Sequence, residues 1–125
     1  MIHLDTNFVV AALRPSNPDA KAVRRWLDAG DTVGVSAPAW AEFLCGPLAE
    51  SDRRTAVRLL GMAVPFDQGE AELAAELFNL GGRRRGSMVD CMIAAVAVVV
   101  GAELATANTV DFARFAPRGL RLAQP

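Results

Sequence analysis

Four acidic residues stand apart from every other charge around them. Asp5 is the one Asp, Glu, Lys or Arg between Ile2 and Leu13, and Glu42 is alone in the same sense between Ala37 and Leu48. Asp90 is alone from Met88 to Ala102, and Asp111 between Leu104 and Ala113. An ionised carboxylate among apolar neighbours is costly unless something compensates it. Glu42 has Pro38, Ala39, Cys45 and Gly46 at its i±3 and i±4 positions, so no helical ion pair is open to it. Arg114, near Asp111, is the sole cationic side chain within a helical turn of any of the four. Carboxylates brought together only repel, unless a divalent cation lies between them. An all-oxygen ligand set suits a hard ion, Mg²⁺ or Mn²⁺. Such an ion supplies an activated water for attack on a phosphodiester.

Each acid also has a purely structural explanation. Asp5 suits the cap of the helix that follows it, and Asp90 fits a capping box, S-x-x-D, opened by Ser87. Glu42 could pair with a distant arginine, and Asp111 could be an exposed turn residue. One shared site asks for less coincidence than four separate accidents at strand ends and helix starts.

The elements that position these acids follow from pattern and punctuation. "IHLD" reads as a short strand and "TNFVVAAL" as a helix that Thr6 or Asn7 can cap. A helix is expected from Asn17, its cap, through Pro18 to about Ala29, with Gly30 as its stop. "TVGVS" reads as a strand, after which Ser36 and Pro38 open a helix through Trp40, Glu42 and Leu44. "SDRRTAVRLLGM" is expected to be helical, "AVPF" a short strand and "DQGEAELAAELFNLGG" an acidic, exposed helix. "SMVDCMIAAVAVVVGA" is apolar nearly all round and hence central. "ELAT" and "LRLA" complete the strands. Strands alternating with helices predict an α/β fold, a short, mainly parallel central sheet flanked by helices. Such sheets bind ligands at the carboxyl ends of their strands. Asp5 ends the first strand, and Asn108 and Asp111 follow the strand that leads to Thr106.

Composition bounds the class. At 125 residues and 52% apolar content the chain is expected to fold as a single globular domain, residues 1–125. Cys45 and Cys91 are far apart, which suggests reduced core thiols of a cytoplasmic protein. His3 is the only histidine, which excludes the usual zinc sites. No basic region precedes Asp5, so no secretory signal is expected. The longest apolar run, Cys91 to Ala102, has 12 residues against the ~20 a membrane helix needs. The net charge of −1 does not advertise a nucleic-acid binder. Twelve of the 13 basic residues are arginines, which suits bidentate phosphate contacts but equally a GC-rich genome. "GGRRRGS" sets Arg83, Arg84 and Arg85 just before the helix of Asp90, either as a clamp on an RNA backbone or as a solvated loop. Trp26, Trp40 and His3 are expected to be packed residues.

With these residues in view, "LDTNFVVAAL", "APAWAEF", "MVDCMIAAVA" and "LATANTVDF" resemble the PIN-domain ribonucleases, and most of all the VapC-type toxins of bacterial toxin–antitoxin pairs. The four motifs are loose singly, but together they span nearly the whole chain in the expected order. The resemblance implies a metal-dependent endoribonuclease, with Asp5, Glu42 and Asp90 as its core acids and Mg²⁺ or Mn²⁺ as cofactor. It places the fourth position within T-x-N-x-x-D-F, at Asn108 or Asp111. Asp111 supplies a charge and is the expected ligand, with Asn108, Thr6 and Thr106 accessory. It further implies an RNA substrate, a homodimer and a cognate antitoxin peptide lying over helices near the site. Three rivals stand beside it. A D-x-D phosphotransferase lacks its second acid, because position 7 is Asn. A receiver domain lacks its late lysine, because none follows Lys21. A PIN-like module that binds RNA or protein without cutting remains the third.

Overall fold

A strand buried on both faces belongs in the interior of a parallel sheet, and strand β1 (Ile2–Leu4) is buried at all three positions. In the computed structural model, which describes residues 1–125, β1 pairs in parallel with β2 (Val33–Gly34) on one side and β3 (Glu103–Ala105) on the other. Strand β4 (Arg121–Leu122) adds to β3, giving the order β2-β1-β3-β4 with every pairing parallel. The order reverses between β1 and β3, the topological switch point where open α/β sheets leave a crevice at their carboxyl ends. Register Leu4↔Ala105 puts Asp5 and Thr106 side by side as the first residues beyond those two strands.

Seven α-helices surround the sheet: α1 (Thr6–Ala12), α2 (Pro18–Asp28), α3 (Ala37–Cys45), α4 (Glu50–Leu60), α5 (Gln68–Leu80), α6 (Met88–Val100) and α7 (Thr109–Ala113). Their ends follow local chemistry. The Asn17 side chain accepts from the Asp19 amide at 2.8 Å, and Ser36 from that of Ala39 at 3.3 Å, each followed by a proline in the first turn. Asp67 and Glu70 form a reciprocal capping box on α5. Gly101 ends α6 at φ 73°, a left-handed conformation that glycine adopts without penalty. Helix α6 is the central one, burying Cys91 and every residue from Ile93 to Ala97. Its small side chains let α5, β3 and α3 approach closely. No helix is long and apolar enough to cross a membrane.

Five local expectations are corrected. Of the residues offered as caps of α1, Asp5 takes the position and Thr6 and Asn7 do not. The "AVPF" segment is reduced to one bridge, Ser36↔Val64, because Pro65 has no N–H with which to continue a ladder. The Ser87 capping box does not form, since the Ser87 hydroxyl donates backwards to the Arg84 carbonyl at 2.7 Å. Cys91 is buried but Cys45 is exposed, at the end of α3. Helix α5 is acidic yet not wholly exposed, for Ala74 and Leu77 are buried and the helix packs along α6.

His3 is packed in the middle of β1 with neither ring nitrogen hydrogen-bonded. Burial, aided by the N-terminal ammonium, pushes its pKa down. A depressed histidine pKa contributes stability that is present above the unfolded value near 6.5 and is lost as pH falls below it. Replacing His3 with Leu removes two buried, unsatisfied polar atoms. The substitution is therefore expected to stabilise the protein at pH 7.5 by about 1–2 kcal/mol. The gap between variant and wild type widens at pH 5.5. Urea denaturation at the two pH values measures both, and a less stable His3→Leu protein at either refutes this account.

Candidate active site

Asp5 leaves β1 in an extended conformation, and its amide donates to the Ala105 carbonyl at 2.9 Å, prolonging the β1–β3 ladder by one bond. Its carboxylate is then fixed at both oxygens. Oδ1 accepts from the Thr6 amide at 2.8 Å, and Oδ2 from the Thr106 hydroxyl at 2.7 Å. Thr106 is held in turn, its oxygen accepting from the Asn108 amide at 3.0 Å. Asp5 is only 5% exposed. Burial pushes its pKa up, the bonds from Thr106 and Thr6 pull it back, and the nearby charge of Glu42 raises it again.

Glu42 arrives from the middle of α3. The Thr6 hydroxyl donates to its Oε1 at 2.6 Å, so the residue that follows Asp5 ties the two acids together. Asp90 enters from the first turn of α6 and is half-buried. Its pKa is raised by burial and by the charges of Asp5 and Glu42, with Asp111 adding a little; Arg114 opposes them. Asp5, Glu42 and Asp90 therefore share one electrostatic field, although they lie on three different elements.

Asp111 is at the rim. The Asn108 side-chain amide donates to its Oδ2 at 2.9 Å, and Arg84 approaches its Oδ1 at 3.4 Å. These two contacts hold its carboxyl below the usual range. Asn108 thus orients the acid beside it. Asp111 has an arginine of its own, and that arginine is Arg84, not the sequence neighbour Arg114. Of the three loop arginines, Arg83 has φ 57°, bonds the Asn79 side chain at 2.8 Å and lies over the Phe78 ring, 5.6 Å from its centroid. Arg84 reaches Asp111, and Arg85 is exposed.

Two expectations about the acids change. Glu42 is exposed, so its isolation in the sequence does not mean an apolar setting. No three acids close into a ready-made ligand cluster. The donor set still suits a hard divalent ion. It is all oxygen, Glu42 raises Asp5, Asp5 and Glu42 both raise Asp90, and no ion pair neutralises Asp5, Glu42 or Asp90. Mg²⁺ keeps several waters and takes few protein ligands directly, which matches carboxylates standing apart. Arg114 was visible as a neighbour of Asp111, but its influence on Asp90 had no signal in the spacing.

Comparison with known proteins bears on this arrangement. The model of the PIN domain family matches residues 2–117. The chain belongs to the PIN domain family. The resemblance carried by the four short motifs therefore holds along almost the whole PIN domain, and the phosphotransferase and receiver alternatives fall with it. Among solved structures the domain is similar to FitAcB from Neisseria gonorrhoeae, at 26% identity and a TM-score of 0.75 over 100% of this chain and 98% of that one. It also resembles VapBC2 from Rickettsia felis, solved with a DNA fragment from its promoter, at 23% identity and a TM-score of 0.76 over 98% of each chain. A toxin–antitoxin complex from Klebsiella pneumoniae matches at 24% identity and a TM-score of 0.74, over 90% of this PIN domain and 91% of that chain. A search of curated proteins returned no match.

Proposed function

We propose that this PIN domain is an endoribonuclease dependent on Mg²⁺ or Mn²⁺ and the toxin of a toxin–antitoxin pair. The observation that carries this reading is the fixed geometry at the switch point. Asp5 is clamped by Thr6 and Thr106, Glu42 is linked to it through the Thr6 hydroxyl, and Asp90 shares their field. Asp5, Glu42 and Asp90 are the proposed metal ligands, with Asp111 as the fourth. When bound, the ion supplies an activated water and offsets the charge that develops on the phosphate. The chain's own residues do the positioning. Thr106 orients the buried carboxylate, Asn108 orients Asp111, and exposed Glu42 marks the side open to substrate. The protein is further proposed to act in the cytoplasm as a homodimer held in check by a cognate antitoxin. The likeness to a toxin–antitoxin complex supports that partner.

The test is direct. Purified protein is expected to cleave RNA with Mg²⁺ or Mn²⁺ and to stop on addition of EDTA. Mapping of RNA 5′ ends in cells after brief induction is expected to show new ends that are absent with Asp5→Asn. The lack of a closed three-acid cluster favours one alternative, a PIN domain that binds RNA without cutting it. RNA binding without any metal-dependent cleavage would establish that reading instead.

Arg84 offers a smaller check. Its ion pair with Asp111 is exposed, so Arg84→Ala is expected to change stability by less than about 0.5 kcal/mol. If the loop contacts RNA, the same variant lowers the slope of log affinity against log salt by about one. An unchanged slope in filter binding returns Arg84 to a solvated loop.

A further inference from the structure

Arg114 ends α7, and its guanidinium is unusual for what it lacks. Nε and Nη1 are completely enclosed and have no hydrogen-bond partner. It forms no ion pair with any carboxylate. It is held by shape and lies beside the Cys91 thiol, whose pKa burial raises and the guanidinium lowers. On one side its Cζ lies 4.5 Å from the centroid of the Phe115 ring, and Phe115 is itself fully buried. On the other it fills the space above Gly81, where a Cβ would stand 3.3 Å from Nε and 3.4 Å from Cζ. Arg114 is half-buried, and two enclosed, unsatisfied donors on a cation are expensive unless negative charge lies within reach. Asp111, three positions earlier on the same helical turn, supplies charge on the same face of α7, and the guanidinium also opposes the raised pKa of Asp90.

We propose that Arg114 is the resident counter-cation of the acidic site, a positioning residue that sets how strongly the carboxylates hold a divalent ion. The inference rests on the metal-dependent reading above. An arginine bonded directly to Asp90 would occupy the oxygens an incoming ion needs. A guanidinium pinned by Phe115 and the Gly81 backbone acts through space and leaves those oxygens free. It offsets negative charge at Asp90 and Asp111 and weakens the pull on a second cation.

This gives an effect of unusual sign. Mn²⁺ is titrated into the metal-free full chain by calorimetry or electron paramagnetic resonance. Arg114→Met, which keeps the unbranched apolar stem but not the charge, is expected to bind Mn²⁺ roughly tenfold tighter than wild type. Arg114→Gln, a polar neutral replacement, shows the same tightening and serves if the Met variant does not fold. Arg114→Lys stays close to wild type. Neutral variants that bind Mn²⁺ equally or more weakly, or neither of which folds, overturn the proposal and leave Arg114 a packing residue. A wild-type protein that takes up no Mn²⁺ overturns the metal-dependent reading, and this inference with it.

Discussion

Asp5→Asn is expected to lower metal-dependent RNA cleavage by roughly 10²–10³-fold or more, beyond the ten- to hundredfold that loss of an outer-shell partner costs, and yet to stabilise the metal-free protein. Asn also caps helices well, so it can still accept from the Thr6 amide. The Thr106 hydroxyl can rotate to accept from the new amide group, so the frame survives. What disappears is a carboxylate whose charge is opposed by burial and by Glu42. The sign follows from the raised pKa. Such a group contributes stability that is fully present below the unfolded value near 3.9 and is lost as pH rises through the folded value. At pH 7.5 the ionised Asp5 is therefore a burden, and its removal stabilises by on the order of 1 kcal/mol, or about 4 °C in Tm. The gain fades as pH falls towards 4. Asp90→Asn follows the same course with a smaller gain, because solvent screens a half-buried group. Added Mg²⁺ reverses the ranking: at a hundredfold excess over Kd it stabilises the wild type by about 2.7 kcal/mol and the Asn variants far less. Cleavage assays and urea denaturation in EDTA and in Mg²⁺ read both halves. Full activity in Asp5→Asn ends the nuclease scheme. A loss of activity accompanied by lower stability in EDTA makes Asp5 a structural cap alone.

The parts of this molecule that were legible in the sequence are those whose causes are local. The α2 start at Asn17-Pro18 and the α3 start at Ser36-Pro38 are written in adjacent residues, because capping needs only an oxygen and a free amide two or three positions on. The apolar length of α6 announces its central place for a similar reason. The site was only half legible. The isolation of Asp5, Glu42 and Asp90 pointed to one field, but charge isolation along the chain is not burial, and Glu42 proves exposed. The clamp on Asp5 comes from Thr106, 101 positions away, and the cation beside Asp111 is Arg84, 27 positions back. Those partnerships exist only because β1 and β3 are neighbours and α7 turns back over the arginine loop. Ser87 misled for the opposite reason: its motif was present, but the turn after Gly86 offered the Arg84 carbonyl first.

Phe112→Ala is expected to be the most damaging single substitution near the site, costing about 3–5 kcal/mol. Helix α7 has five residues, far too few to be stable alone. Its place is set by Phe112 and Phe115, 1% and 0% exposed, whose rings meet edge-on at 6.2 Å. Phe112 follows Asp111 directly and lies two residues before Arg114, so the anchor that holds α7 down also holds the rim acid and the enclosed guanidinium. Truncating it leaves a cavity beneath both. A cost of this size is a large fraction of the 5–15 kcal/mol by which domains are stable. The variant should therefore unfold at clearly lower urea, and below its transition it should cleave RNA more slowly than wild type with weaker dependence on Mg²⁺ concentration. Val110, two residues earlier and 83% exposed, provides the control, since Val110→Ala should leave stability within about 0.5 kcal/mol. Equal losses in the two variants would mean that α7 is not docked through Phe112. A strongly destabilised Phe112→Ala protein with undiminished activity below its transition would show that Asp111 and Arg114 reach their positions without that anchor, and α7 would then be a covering element instead of part of the site.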